Sequence, residues 1–322
     1  MTTSLLEIQD LTICFPGPNG LVPAVDGVSL TLEAGTVLGI VGESGSGKTI
    51  TALAVMRLLP RAAKVTSGSI YFKGRDLLQL SMREMRKIRG AEISMVWQEP
   101  MSSFNPFFRL GGQVAEALSA HRIVKGREAL RRVIELFRSV KIPGAEDRCK
   151  DYPFQFSGGM LQRAMIAMAL SCNPDIVIAD EPTTALDVTV QRQILDLLQD
   201  MKEEYDTAVI LISHSMGVIS DMADEVLVMY SGMVLEKNAT EEILTSPAHP
   251  YTKALLQSVP KMTGMEKRLP AIPGAPPNIF SRPSGCPFHP RCPSAGAACI
   301  EERPIPRELE EGHLVACHNA YT

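Results

Sequence analysis

No stretch of this 322-residue chain reaches the roughly 18 uninterrupted apolar residues that a membrane-crossing helix requires, so the chain is not expected to span a bilayer itself. The opening residues, MTTSLLEIQD, lack a basic start followed by an apolar stretch, which argues against a secretory signal. Runs of about five or six like charges are also missing. With 32 basic against 36 acidic residues and a net charge of −4, no broad basic face for nucleic acid is expected. Internal repeats are absent, and so is any C-x2-4-C pair of the kind that opens a structural zinc site. These absences point to a polypeptide that stays in the cytosol and is held at a membrane, if at all, by another chain.

What is present is an ordinary globular composition, 45% hydrophobic and 21% charged, with enough apolar material for a sizeable core. The length suits one large unit with an appendage, or two units. Residues 5–13 and 25–32 read as strands around the turn-rich Pro16, Gly17, Pro18, Asn19 and Gly20. The apolar run 36–41 reads as a buried strand, followed by a glycine loop and a helix over 50–59 that ends at Pro60. Helical spacing returns at 111–121 and 126–140, the latter with Val133, Leu136, Phe137 and Val140 on one face. From Asp175 the chain alternates between β-branched apolar runs, IVIAD and AVILIS, and a helix over 188–204. Continuous runs of this kind mark parallel strands covered on both faces. The fold class is therefore α/β, with a helical insertion at about 99–165 in a parallel-sheet core and, after about 238, a proline-rich, loop-built tail.

Two segments carry phosphate chemistry. Gly42, Glu43, Ser44, Gly45, Ser46, Gly47, Lys48 and Thr49 fit G-x-x-x-x-G-K-[ST] between a strand and a helix. Glycines let the backbone wrap a phosphate chain with its amide hydrogens pointing inward at a helix N-terminus. Lys48 would neutralise the β and γ phosphates, and the Thr49 hydroxyl would ligate magnesium. Downstream, the strand IVIAD ends on Asp180 and Glu181, placing one carboxylate for magnesium and the next for a general base. Taken singly, the first segment also suits a flexible turn, and the second a pair of solvated acids.

Further motifs complete a pattern. Phe156-Ser157-Gly158-Gly159-Met160 opens a helix, Gln98 follows the strand ISMVW, His214 follows AVILIS, and Ala185-Leu186-Asp187 follows the two acids. In order and spacing this set, over residues 5–240, resembles the ATP-binding cassette (ABC) ATPases. The resemblance implies a P-loop, RecA-like core with an antiparallel β subdomain and a helical subdomain. It implies ATP and Mg2+ as ligands, residues 42–49 as Walker A, Asp180 as the Walker B acid and Glu181 as catalytic carboxylate. Gln98 is similar to the loop glutamine that touches magnesium and water, and His214 to the switch histidine at the γ-phosphate. Ser157, Gly158 and Gly159 resemble the signature that caps the γ-phosphate of the opposite subunit, Asp187 belongs with the nucleotide contacts, and Phe15 sits where an aromatic stacks on adenine. Ordinary packing also places a histidine or glutamine at a strand end and an aromatic in a core; the methionines 160, 165, 168, 216 and 222 read as packing. Phe156 and Met160 depart from the commoner leucine and glutamine without touching phosphate. Ser215 stands where an aspartate is common, which would loosen the contact across the dimer and is compatible with pairing with a different subunit.

The segments EPMSSFNP, HPYTKALLQSVP, PGAPPN and SGCPFHPRCPSAGAAC, the last three within residues 249–317, resemble the ATPase subunits of dipeptide, oligopeptide and nickel importers with their C-terminal extension. The resulting division is an ATPase domain at 1–240 and an extension at 241–322. The resemblance implies a sister ATPase subunit, two membrane permease subunits, an indirect link to a solute-binding protein, and a peripheral place on the cytoplasmic face of the inner membrane. The alternatives are an exporter ATPase, which the importer-type tail opposes, and a soluble cassette acting on nucleic acid, which the single cassette and the modest helical insertion oppose. Cys286, Cys292, Cys299 and Cys317 run C-x5-C-x6-C-x17-C, a spacing that suits a [4Fe–4S] cluster, as some members of the subfamily carry; zinc and free structural thiols remain open. Cys14, Cys149 and Cys172 read as small buried hydrophobes, and His289, His313 and His318 as surface or hydrogen-bonded residues.

Overall fold

The computed structural model describes residues 4–184, 186–258 and 272–320. Residues 1–3, Ala185, the segment 259–271 (which includes the end of HPYTKALLQSVP) and residues 321–322 lie outside the described residues. The chain forms two compact units: Met1–Glu33 with Val37–Gln79 and Ile212–Thr322, and Ala34–Thr36 with Leu80–Leu211.

In the first unit, the strands Gly20–Leu32, Leu6–Gly17, Lys64–Phe72 and Arg75–Asp76 lie side by side in that order, all antiparallel. The first hairpin is longer than the turn residues suggest, because pairing runs out to Gly17 opposite Gly20. Pro16 is accommodated at the hairpin tip, where a missing N–H costs little. The same unit holds Val37–Val41, buried along its whole length and parallel to Glu225–Tyr230, which pairs antiparallel with Met233–Ala239. Gly39 is needed here, since a Cβ would come within 2.5 Å of Ile219 Cγ2 on the covering helix Met216–Ser220.

The helix after the glycine loop spans Lys48–Val55, four residues short of the expected end at 59. Arg57 turns left-handed at φ 49° and donates to Leu77 O at 3.2 Å, so the chain leaves the helix before Pro60.

The tail is more regular than its proline content suggests. A hairpin of Arg307–Glu310 and His313–Val315 pairs antiparallel with Met233–Ala239, Glu236 opposite Val315. The fully buried Glu236 accepts N–H bonds from Ala248 (2.6 Å) and His249 (3.0 Å), and His313 Nε2 lies 2.9 Å from it. Tertiary pairing thus turned a segment without clear periodicity into strand.

In the second unit, Ala208–Ser213, Ile176–Asp180 and Ile93–Val96 lie in that order, the last two parallel. The expected helices appear at Leu110–Ala120, Gly126–Ser139 and Val188–Tyr205, with Val133, Leu136 and Phe137 on the buried face of the second. Gly158–Leu170 buries most of its circumference, including Met165. Among the described residues, no helix is long and apolar enough to cross a membrane.

Candidate functional site

The glycine loop of the first unit is shaped by close backbone approach. At Gly42 a Cβ would lie 2.1 Å from Met229 O; at Gly47, with φ 101°, it would lie 2.9 Å from Ala24 O. Neither position admits a side chain. Gly47 ends the loop at the N-terminus of Lys48–Val55, the positive end of a helix, which favours an anion. Lys48 is buried, and its Nζ donates to Gly42 O at 2.6 Å, Glu43 O at 3.0 Å and Ser46 Oγ at 3.3 Å. The ammonium is thereby held over the loop's own oxygens. Thr49 is exposed, Ser44 and Gly45 are exposed, and Ser46 is buried with its carbonyl accepting Gly232 N–H at 2.9 Å. Glu43 is engaged elsewhere: its carboxylate is held by Arg291, and its N–H donates to the Tyr251 hydroxyl at 2.9 Å. Phe15 is half-buried on Leu6–Gly17, and His214 is exposed after Ala208–Ser213.

In the second unit, Gln98 and Glu181, 83 positions apart, are brought together. Gln98 Nε2 donates to Glu181 Oε2 at 2.9 Å, and the Thr184 hydroxyl donates to the same oxygen at 2.9 Å. Glu181 itself sits at φ 46°, an unfavourable region for a side-chain-bearing residue that the surrounding turn enforces. Asp180, directly before it, is only 4% exposed at the end of Ile176–Asp180.

Two helix N-termini flank this acidic turn in sequence. Ser157 caps Gly158–Leu170, accepting Met160 N–H at 3.3 Å, and Asp187 caps Val188–Tyr205, accepting Val190 N–H at 2.9 Å. They meet at Gly159, where a Cβ would lie 2.9 Å from Val190 Cγ1. Ser157 and Gly158 are exposed, leaving that N-terminus open to an incoming anion.

All seven cysteines are free thiols. In the tail, Cys286 N–H donates to Cys299 O at 2.8 Å, and burial pushes the Cys286 thiol up to about 11. Burial also raises Cys292 and Cys317, and the neighbouring tail cysteines raise each of these three further. Among the described residues, no three His, Cys, Asp or Glu side chains are arranged to hold a metal ion. The tail histidines are hydrogen-bonded, His289 to Cys286 O, His318 to Glu302 O, and His313 as described.

Sequence reasoning did not find Thr184, Tyr251 or Arg291. Tyr251 and Arg291 lie within the quoted HPY and PRC segments, but nothing local says that they reach the glycine loop.

Comparison with known proteins agrees with this geometry. Residues 25–184 match the family described as ABC transporter, and 235–299 match the oligopeptide/dipeptide transporter, C-terminal region. A solved structure, the dimeric post-hydrolysis state of the ATP-binding cassette MJ0796 bound to ADP and Pi, is 27% identical with a TM-score of 0.66, covering 73% of this chain and 98% of that one. The chain is an ABC-type ATPase. More particularly, it belongs to the ATP-binding proteins of the oligopeptide/dipeptide ABC transporter family. It is 47% identical to the oligopeptide transport ATP-binding protein OppD of Salmonella typhimurium, over 97% of this chain and 93% of that protein. It is likewise 48% identical to the dipeptide transport ATP-binding protein DppD of Bacillus subtilis, over 97% and 94%.

Proposed function

We propose that this chain is the ATP-hydrolysing subunit of a membrane importer for dipeptides or oligopeptides. The observation that carries the chemistry is the Glu181 carboxylate, fixed by the Gln98 amide and the Thr184 hydroxyl on one oxygen. Relatives named for oligopeptide and dipeptide transport, each aligned over nearly its full length, support the solute class; none of them singles out nickel. The ATPase domain is assigned to 1–240 and the transporter-specific extension to 241–322.

In this reading the loop Gly42, Glu43, Ser44, Gly45, Ser46 and Gly47, with Lys48 and Thr49, binds the phosphates, Phe15 stacks on adenine and His214 contacts the γ-phosphate. The oxygens of Thr49, Asp180 and Gln98 are the hard donors that suit Mg2+. When bound, Mg2+ would neutralise charge developing on the phosphates. Glu181 orients the attacking water and takes its proton. Ser157, Gly158, Gly159 and Asp187 serve the facing subunit, so two cassettes close on each nucleotide; the dimeric relative supports that arrangement. Ser215 after His214 is compatible with a sister subunit as partner.

The two permease subunits would dock on the second unit near Gln98, where Met101, Phe107 and Phe108 are 56%, 83% and 62% exposed. An apolar group of this kind beside the Gln98 loop suits a helix from a membrane partner. The subunit then works peripherally on the cytoplasmic face of the inner membrane and meets the solute-binding protein only through the permease.

The tail cysteines are the candidates for a [4Fe–4S] cluster. Four thiols within one small module provide the donor chemistry, but their arrangement is not that of a ready-made metal site, so no step is routed through a cluster.

The functional test is uptake. The complex reconstituted in vesicles with its permease and binding protein is expected to accumulate labelled peptide only with ATP, and Glu181→Gln is expected to abolish that uptake. Peptide accumulation that persists with Glu181→Gln, or a complex that moves no peptide, would overturn the assignment.

A further inference from the structure

The phosphate loop contains a carboxylate, and the tail is built around it. Arg291 forms a fork on Glu43, Nη1 to Oε2 at 2.5 Å and Nη2 to Oε1 at 3.0 Å, with the Arg291 side chain only 5% exposed. Its Nε donates to Pro273 O at 2.8 Å, and Nη1 also donates to the Tyr230 hydroxyl at 3.1 Å. The Glu43 bond, despite burial, raises the guanidinium above its ordinary pKa, so Arg291 keeps its charge in the pair. Bidentate pairs of this sort fix geometry as well as charge.

A second contact reaches the same residue. The fully buried Tyr251, from the HPY segment, accepts the Glu43 N–H at its hydroxyl. Its ring packs on Tyr230 at 4.7 Å and on Phe288 at 5.2 Å, the ring that precedes Arg291 in the cysteine segment. From another side, Arg282 donates to Asp26 Oδ2 at 2.6 Å and to Ser231 O, while the adjacent Gly232 N–H donates to Ser46 O in the loop. Three tail residues thus end on the phosphate loop or on the turn that supports it.

We propose that the C-terminal extension is a working part of the nucleotide site, with Arg291 as a positioning residue that holds Glu43 and thereby the phosphate loop. This inference rests on residues 42–49 being the phosphate-binding loop. Unpaired, Glu43 would set a negative charge in the loop that must receive a triphosphate, and its side chain would be free to turn. Paired, the charge is cancelled and the loop is held ready. The extension is therefore needed for ATP affinity, not only for assembly.

The test is ATP–Mg2+ binding by the full-length chain, measured by calorimetry, with steady-state ATPase of the complex. Arg291→Ala is expected to weaken ATP binding about tenfold and to raise KM with kcat kept within about threefold. Adding Glu43→Gln to Arg291→Ala should recover most of the lost affinity, because the uncompensated charge is gone; Arg291→Lys should fall between. A merely structural role would lower the melting temperature and would not be rescued by the second change. Wild-type affinity in Arg291→Ala, or a double variant no better than the single one, overturns the proposal. Lys48→Ala, run alongside, separates the two readings. If it too binds ATP normally, the phosphate-loop assignment itself fails; if it alone loses binding, only the role of Arg291 does.

Discussion

Glu181 sits in a left-handed turn that a side-chain-bearing residue adopts only when its surroundings compel it, and two hydrogen bonds converge on one of its oxygens. That arrangement aims the carboxylate. Glu181→Gln is expected to bind ATP with near-normal affinity while kcat falls by about 10²–10⁴; hydrolysis near the wild-type rate would show that Glu181 is not the base. Thr184→Val removes one of the two donors and keeps the volume. Its kcat should fall roughly tenfold with KM for ATP little changed, as steady-state kinetics would reveal. The glycines, Lys48 and Thr49 of residues 42–49 and the paired acids Asp180 and Glu181 were legible from residue types at short spacing. Thr184 was not, because its partner is chosen by how the turn folds back rather than by any pattern in the chain.

Among the elements, the helix Pro250–Gln257 carries an unusual cap. His249 Nδ1 accepts Tyr251 N–H at 2.9 Å, and burial drives the ring's pKa from 6.5 down to about 3, with Lys253 nearby adding to the fall. The folded protein therefore holds this histidine neutral where the unfolded chain would protonate it. Its contribution to stability is complete above about pH 6.5 and is lost progressively as the pH falls towards 3. His249→Asn, which keeps a capping acceptor without the titration, is expected to flatten that part of the stability profile in chemical denaturation measured from pH 7 to 4. A profile of unchanged slope would remove His249 as its source. Elements with strong local signals, such as Ile176–Asp180 and Gly126–Ser139, formed where periodicity placed them. The hairpin Arg307–Glu310 with His313–Val315 had no such signal, since its strand character comes from pairing with Met233–Ala239.

For the whole molecule, the exposed N-terminus at Ser157 and Gly158 is the face that the proposed paired mechanism offers to a second subunit. Ser157→Arg should leave ATP binding by its own chain intact yet suppress hydrolysis in the assembled complex by about tenfold or more. A demonstrably monomeric preparation that hydrolyses ATP at full speed, indifferent to that change, would contradict the paired-site mechanism. The tail cysteines invite a separate measurement. If they hold the proposed cluster, anaerobically purified protein contains iron and sulfide and absorbs in the visible; a colourless, iron-free protein of normal stability would leave Cys286, Cys292, Cys299 and Cys317 as structural thiols.

The chain alone determined the class of the fold and the chemistry of its phosphate loop, because those depend on near neighbours: a glycine where the backbone must pass another strand, a lysine one residue later, an acid at the end of an apolar run. Only the tertiary structure decided that Gln98 meets Glu181 across 83 positions and Arg291 meets Glu43 across 248. Pairings at that distance follow the path of the whole chain, and no local preference encodes them.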